Sequence, residues 1–86
     1  MKSLTTPDFW TTYAALPPQI KARAKTVYRL WRHNPRHPSL QFKKAGRVWS
    51  VRISGGYRAL SLLEEDTFYW FWIGTHDEYE RMVGLC

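Results

Sequence analysis

Eighty-six residues with 13 Lys and Arg against 7 Asp and Glu, a formal net charge of +6, 44% apolar and 16% aromatic content describe one small basic globular domain over residues 1–86. They exclude a multidomain machine and a disordered chain. The longest apolar run, Phe68 to Ile73, is far short of the roughly 20 residues that span a bilayer, and the N-terminus lacks the apolar core of an export signal. A cytoplasmic protein without membrane contact is expected, and the lone Cys86 excludes an internal disulfide and a cysteine-based metal site.

In chain order, Lys2 to Thr5 reads as a short opening strand. Thr6-Pro7-Asp8 then supplies an N-cap, a first-turn proline and a carboxylate favoured by the helix dipole. Phe9, Tyr13 and Leu16 follow at helical spacing until Leu16-Pro17-Pro18 interrupts, because proline disfavours helical geometry in the residue before it. A second helix carries Ile20, Ala24, Val27 and Trp31 on one face and Lys21, Lys25, Arg29 and Arg32 on another, and Asn34-Pro35 stops it.

The period then falls to that of strands. Leu40 to Lys44 is expected to be a strand turned by Ala45-Gly46. Val48 to Ile53 alternates Trp49, Val51 and Ile53 with Val48, Ser50 and Arg52 before Ser54-Gly55-Gly56 turns the chain. Tyr57 to Leu63 follows, with Arg58 on the side of Leu60 and Leu62. After Glu64-Glu65-Asp66, Phe68 to Ile73 is apolar on both faces and so belongs centrally in the sheet. Asp77 to Val83 is expected to close the chain as a short helix. The fold class is α+β: an antiparallel meander of four to five strands with an N-terminal helical hairpin on one face and a short C-terminal helix.

Charge is unevenly distributed along these elements. Phe9 to Leu63 holds eleven basic residues and no acidic one, whereas Glu64 to Cys86 holds six acidic residues and only Arg81 basic. A body without carboxylates cannot neutralise itself, so a positive surface that attracts phosphate or an acidic protein is expected. Near strand ends, Arg52 and Arg58 flank the Ser54-Gly55-Gly56 turn, and His76 and Tyr79 follow the last strand. Cleavage of RNA by its own 2′-hydroxyl needs a base, cations for the charge on phosphorus and an acid for the departing oxygen. These residue types supply all three without a metal, and an imidazole titrates near working pH. Set against this, arginines at hairpin ends are ordinarily solvated charges. His33 and His37 lie four apart, but Pro35 breaks the helix that would align them as metal ligands.

Leu16-Pro17, the connection from Asn34-Pro35 to Ser39-Leu40 with Phe42 and Lys43, Trp49-Ser50-Val51-Arg52-Ile53, Gly56-Tyr57-Arg58-Ala59-Leu60 and Trp72-Ile73-Gly74-Thr75-His76-Asp77-Glu78-Tyr79 occur in that order over nearly the whole chain. In this arrangement the chain resembles the RelE/ParE superfamily of bacterial toxins from type II toxin–antitoxin systems. The resemblance implies a sheet backed by a helical hairpin, with a basic face that binds mRNA in the ribosomal A site and cleaves it without metal or other cofactor. It also implies an acidic cognate antitoxin that wraps and silences the toxin. Arg58 then matches the phosphate-contacting strand arginine, His76 the position after the last strand, and Tyr79 the C-terminal aromatic at the scissile nucleotide. Arg52 joins the catalytic set as an additional phosphate contact, and Lys43, Lys44 and Arg47 are expected to bind RNA. Some RelE proteins carry two lysines on the second meander strand, where this chain has Trp49 and Val51, so His76 takes the role of base and Tyr79 that of an orienting or stacking group. A gyrase-inhibiting ParE-like toxin and a non-toxic antitoxin-binding module are the alternatives.

Overall fold

A computed structural model describes residues 2–84; Cys86 lies outside the described residues. Its elements are β1 (Lys2–Thr5), α1 (Pro7–Ala14), α2 (Pro18–His33), β2 (Lys43–Ala45), β3 (Val48–Ser54), β4 (Tyr57–Glu64), β5 (Thr67–Thr75) and α3 (His76–Gly84), with one 3-10 turn at Pro38–Leu40. The strands form one sheet in the order β1-β5-β4-β3-β2. Its last four strands are the expected antiparallel meander, while β1 adds to β5 in parallel, with Ser3 opposite Phe68 and Thr5 opposite Trp70. The apolar strand β5 is therefore interior, between β1 and β4, and β4 holds the midline.

Local chemistry accounts for these boundaries. The Thr6 hydroxyl accepts from the Phe9 amide at 3.3 Å and opens α1 with Pro7 at its first turn, a side-chain cap of the helix start. The strand expected from Leu40 begins instead at Lys43. Pro38–Leu40 makes a 3-10 turn that Gln41 terminates in the left-handed region at φ 42°, and Leu40 is buried under the sheet rather than paired in it. Gly46, at φ 63°, makes the turn from β2 to β3 that a side chain would disfavour.

The sheet separates two cores. On one face α1 and α2 bring Leu16, Ala24, Val27 and Trp31 onto Val51, Ile53, Ala59, Phe68, Trp70 and Ile73. On the other, α3 brings Tyr79 onto Val48 and Leu60. A bulge re-aims β5 between these faces: Leu60 pairs with Trp72 but Ser61 pairs with Trp70, leaving Phe71 extra. As a result Phe71 and Trp72 both pack on the α3 side while Trp70 and Ile73 face the helical hairpin, as bulges allow.

Candidate active site

The β3–β4 hairpin and the start of α3 build the site. Arg52 and Arg58 are cross-strand partners, so both side chains leave the same face of the sheet. Gly74 lies opposite Arg58 on β5. The His76 amide donates to the Gly56 carbonyl at 2.8 Å, which ties the first turn of α3 to the hairpin tip. Gly74 is required by close approach, since a Cβ there would overlap the Trp72 indole.

Arg58 is the unusual member. It is 3% exposed, and its Nη2 donates to the Ser50 hydroxyl at 2.8 Å and the Gln41 carbonyl at 2.9 Å. Its Nε has no hydrogen-bond partner, and among the described residues no carboxylate pairs with it. The Tyr79 ring lies 5.1 Å from the guanidinium carbon, a cation–π contact. Burial pushes the guanidinium below its ordinary value; Tyr79 offsets part of this and the neighbouring Arg52 adds to it. A buried cation without an anion is costly to fold, and an arriving phosphate would relieve that cost.

Tyr79 is itself 6% exposed, its ring packed over the Arg58 guanidinium, which it covers in this conformation. His76 stands 5.7 Å from Tyr79 between ring centroids and is half-buried. Its Nδ1 faces Glu80 Oε1 at 3.5 Å.

Arg58, Tyr79 and His76 thus come together, with Arg52 beside Arg58. The basic residues of β2 divide. Lys43 pairs with Ser50 and shares the Arg58 face, whereas Lys44 pairs with Trp49 and points to the helical-hairpin face. Arg47 is exposed in the adjoining turn. Among the described residues no three His, Cys, Asp or Glu side chains are grouped to hold a metal ion.

Sequence reasoning missed Ser50 and Gln41, whose roles depend on long-range packing, and the cap of α3, which was readable. Thr75-His76-Asp77-Glu78 is a capping box: Thr75 Oγ1 accepts from the Glu78 amide at 3.2 Å, and Glu78 Oε1 accepts from the Thr75 amide at 3.4 Å and its hydroxyl at 2.9 Å. A nine-residue helix is too short to persist by itself, so this cap and Tyr79 hold it on the sheet. Thr75→Ala is expected to lower stability by about 1 kcal/mol and to increase amide hydrogen exchange selectively in α3; equal exchange in α3 and β4 would contradict it.

Comparison with known proteins bears on this arrangement. A sequence profile of the ParE-like toxin domain matches residues 18–81, whereas no curated protein matches the chain by sequence. Among solved structures, a chain of the RelB–RelE antitoxin–toxin complex of Methanococcus jannaschii superposes with a TM-score of 0.72 at 17% identity, over 92% of this chain and 96% of that one. The YoeB/ParE toxin of Agrobacterium tumefaciens gives 0.68 at 15% identity, over 88% and 99%. YafQ of E. coli gives 0.69 at 10% identity, over 91% and 96%. These structures share the fold, and the profile covers most of the length, so the chain belongs to the ParE-like toxin domain family, within the RelE/ParE superfamily of toxin–antitoxin toxins.

Proposed function

We propose that the chain is an endoribonuclease toxin that cleaves mRNA in the ribosomal A site without a metal and is silenced by an acidic cognate antitoxin. The observation that carries this reading is the carboxylate-free, buried Arg58 guanidinium against Tyr79, with the His76 imidazole beside it. With the Tyr79 ring turned off the guanidinium and His76 held at the hairpin tip, His76 Nε2 takes the proton of the RNA 2′-hydroxyl, whose oxygen attacks phosphorus. Arg58, helped by Arg52, stabilises the charge that develops on the phosphoryl oxygens. The bond from phosphorus to the 5′-oxygen breaks and the departing oxygen takes a proton from solvent water, leaving a 2′,3′-cyclic phosphate and a 5′-hydroxyl, and Tyr79 stacks on or orients the scissile nucleotide. Lys43 and Arg47 extend the cationic surface along the RNA, contributing affinity and salt dependence.

Expression of the chain in bacteria is expected to arrest growth and to create new message ends in translated regions, mapped by primer extension. His76→Ala is expected to slow cleavage by about 10²–10⁴-fold, the usual contribution of a positioned base. Intact messages during growth arrest, together with loss of gyrase supercoiling by the purified protein, would replace this reading with the ParE-like alternative, which needs no imidazole.

A further inference from the structure

Gln41 ends the Pro38–Leu40 turn with φ 42° and ψ 46°, in the left-handed region that residues with a Cβ seldom occupy. Among the described residues Glu65, at φ 55°, is the other non-glycine case, and it sits in the tight β4–β5 turn, where hairpin geometry calls for it. Gln41 lies instead in the connection from α2 to β2, and its conformation is held from both sides. His37 Nδ1 accepts from the Ser39 amide at 3.2 Å and lies 2.8 Å from the Ser39 hydroxyl. The Leu40 amide donates to the His37 carbonyl at 3.0 Å, and the Gln41 amide to the Pro38 carbonyl at 3.2 Å. Leu40 is 1% exposed, and Phe42 stacks on Trp49 with ring centroids 4.9 Å apart. With both neighbours anchored, the turn cannot relax without unpacking one of them. Strain that the surroundings hold in place points to a function for the strained residue.

What the strained backbone delivers is the Gln41 carbonyl. It accepts from Arg58 Nη2 at 2.9 Å, and the Ser50 hydroxyl accepts from the same nitrogen at 2.8 Å. One acceptor comes from the turn and the other from β3, and together they engage both hydrogens of Nη2. A single acceptor would fix the position of that nitrogen and leave the group free to swing about it; the second fixes the guanidinium plane. The Nε hydrogen, which has no partner, then points in a direction set by that plane. The Gln41 side chain is exposed and takes no part in this. We infer that Gln41 is a positioning residue, whose left-handed backbone aims its carbonyl at Arg58 and thereby orients the guanidinium for the phosphoryl group. The effect on rate rests on the endoribonuclease reading; the orientation of Arg58 does not.

Gln41→Gly and Gln41→Val separate the backbone from the side chain, since both remove the amide. Glycine adopts the left-handed conformation without steric cost, whereas a β-branched residue there is an outlier. On translated message, Gln41→Gly is expected to keep kcat within about twofold of wild type. Gln41→Val is expected to lower kcat about 10–100-fold, the scale of a small misplacement of a reacting group, with KM within about threefold. NMR of the Arg58 side chain reads the orientation directly. Slow guanidinium rotation and a resolved Nη2 proton resonance are expected in wild type and Gln41→Gly, and the loss of both in Gln41→Val. Gln41→Ala, a milder strain at the same position, is expected to fall between them and takes the place of valine if that variant does not fold. Equal loss of kcat in the glycine and valine variants would assign the side chain to RNA contact and overturn the inference. An unaltered Arg58 spectrum in the folded valine or alanine variant overturns it whatever the rate, as does an altered spectrum with wild-type kcat. If the wild-type chain cleaves no RNA the endoribonuclease reading fails, and the spectra still decide whether Gln41 orients Arg58.

Discussion

Arg58→Met is expected to leave the melting temperature within a few degrees of wild type while RNA cleavage falls by about 10²–10³-fold. The two effects have separate causes. Methionine matches the length and volume of the arginine stem, so the packing against Tyr79 survives. Removal of the donor strands the hydroxyl of Ser50, which is fully buried, at a cost of about 1–3 kcal/mol. Gln41 is exposed, so water replaces the donor at its carbonyl. Removal of an unpaired buried charge gives back about 1–4 kcal/mol, and the terms roughly cancel. A residue whose loss is tolerated by the fold but not by the reaction is held there for the reaction. Circular dichroism melts and a cleavage assay on translated message measure the two sides. A fall of more than about 8 °C, which corresponds to more than 1 kcal/mol in a domain of this size, would make Arg58 part of the scaffold. Arg58→Lys is expected to lose most of the activity as well, because an ammonium that keeps Ser50 and Gln41 has one N–H left and lacks the planar fork that grips two phosphoryl oxygens.

That balance was not legible in the sequence. The arginine was readable as a strand residue near a turn, since Gly56-Tyr57-Arg58 follows an alternating strand, and its side of the sheet follows from period two. Its burial depends on Tyr79, twenty-one positions later, swinging back on a helix whose direction no local pattern specifies. Boundaries marked by local chemistry were readable, such as the Thr6-Pro7 cap of α1 and the glycine turns. Boundaries set by tertiary competition were not. Leu40 has strand-like neighbours, yet it serves the core better as a buried plug on a 3-10 turn. The parallel pairing of β1 was hidden because a four-residue strand carries no signal for orientation. The Phe71 bulge escaped for a related reason: in a strand apolar on both faces, alternation cannot reveal one extra residue.

Trp31→Ala is expected to cost about 3–5 kcal/mol, a large part of the roughly 4–13 kcal/mol available to a domain of this length. Trp31 is 1% exposed and meets Phe42, Phe68 and Trp70 edge to face, with centroids 5.7, 5.3 and 5.1 Å away. It is the contact through which α2 grips both the last strand and the chain after the 3-10 turn. Its indole Nε1 is buried without a partner, so one of its atoms opposes folding while the ring supports it. Trp31→Phe separates the two. It removes the unsatisfied donor, which costs about 1–3 kcal/mol where it stands, and leaves a cavity whose penalty is of the same order. The expected net change is within about 1.5 kcal/mol. Urea denaturation of the three proteins, compared at equal m-value, tests this. If Phe proves as damaging as Ala, the Nε1 group contributes to stability through a bound water and the core around α2 is partly polar. If Phe is nearly neutral, ring packing alone joins α2 to the sheet.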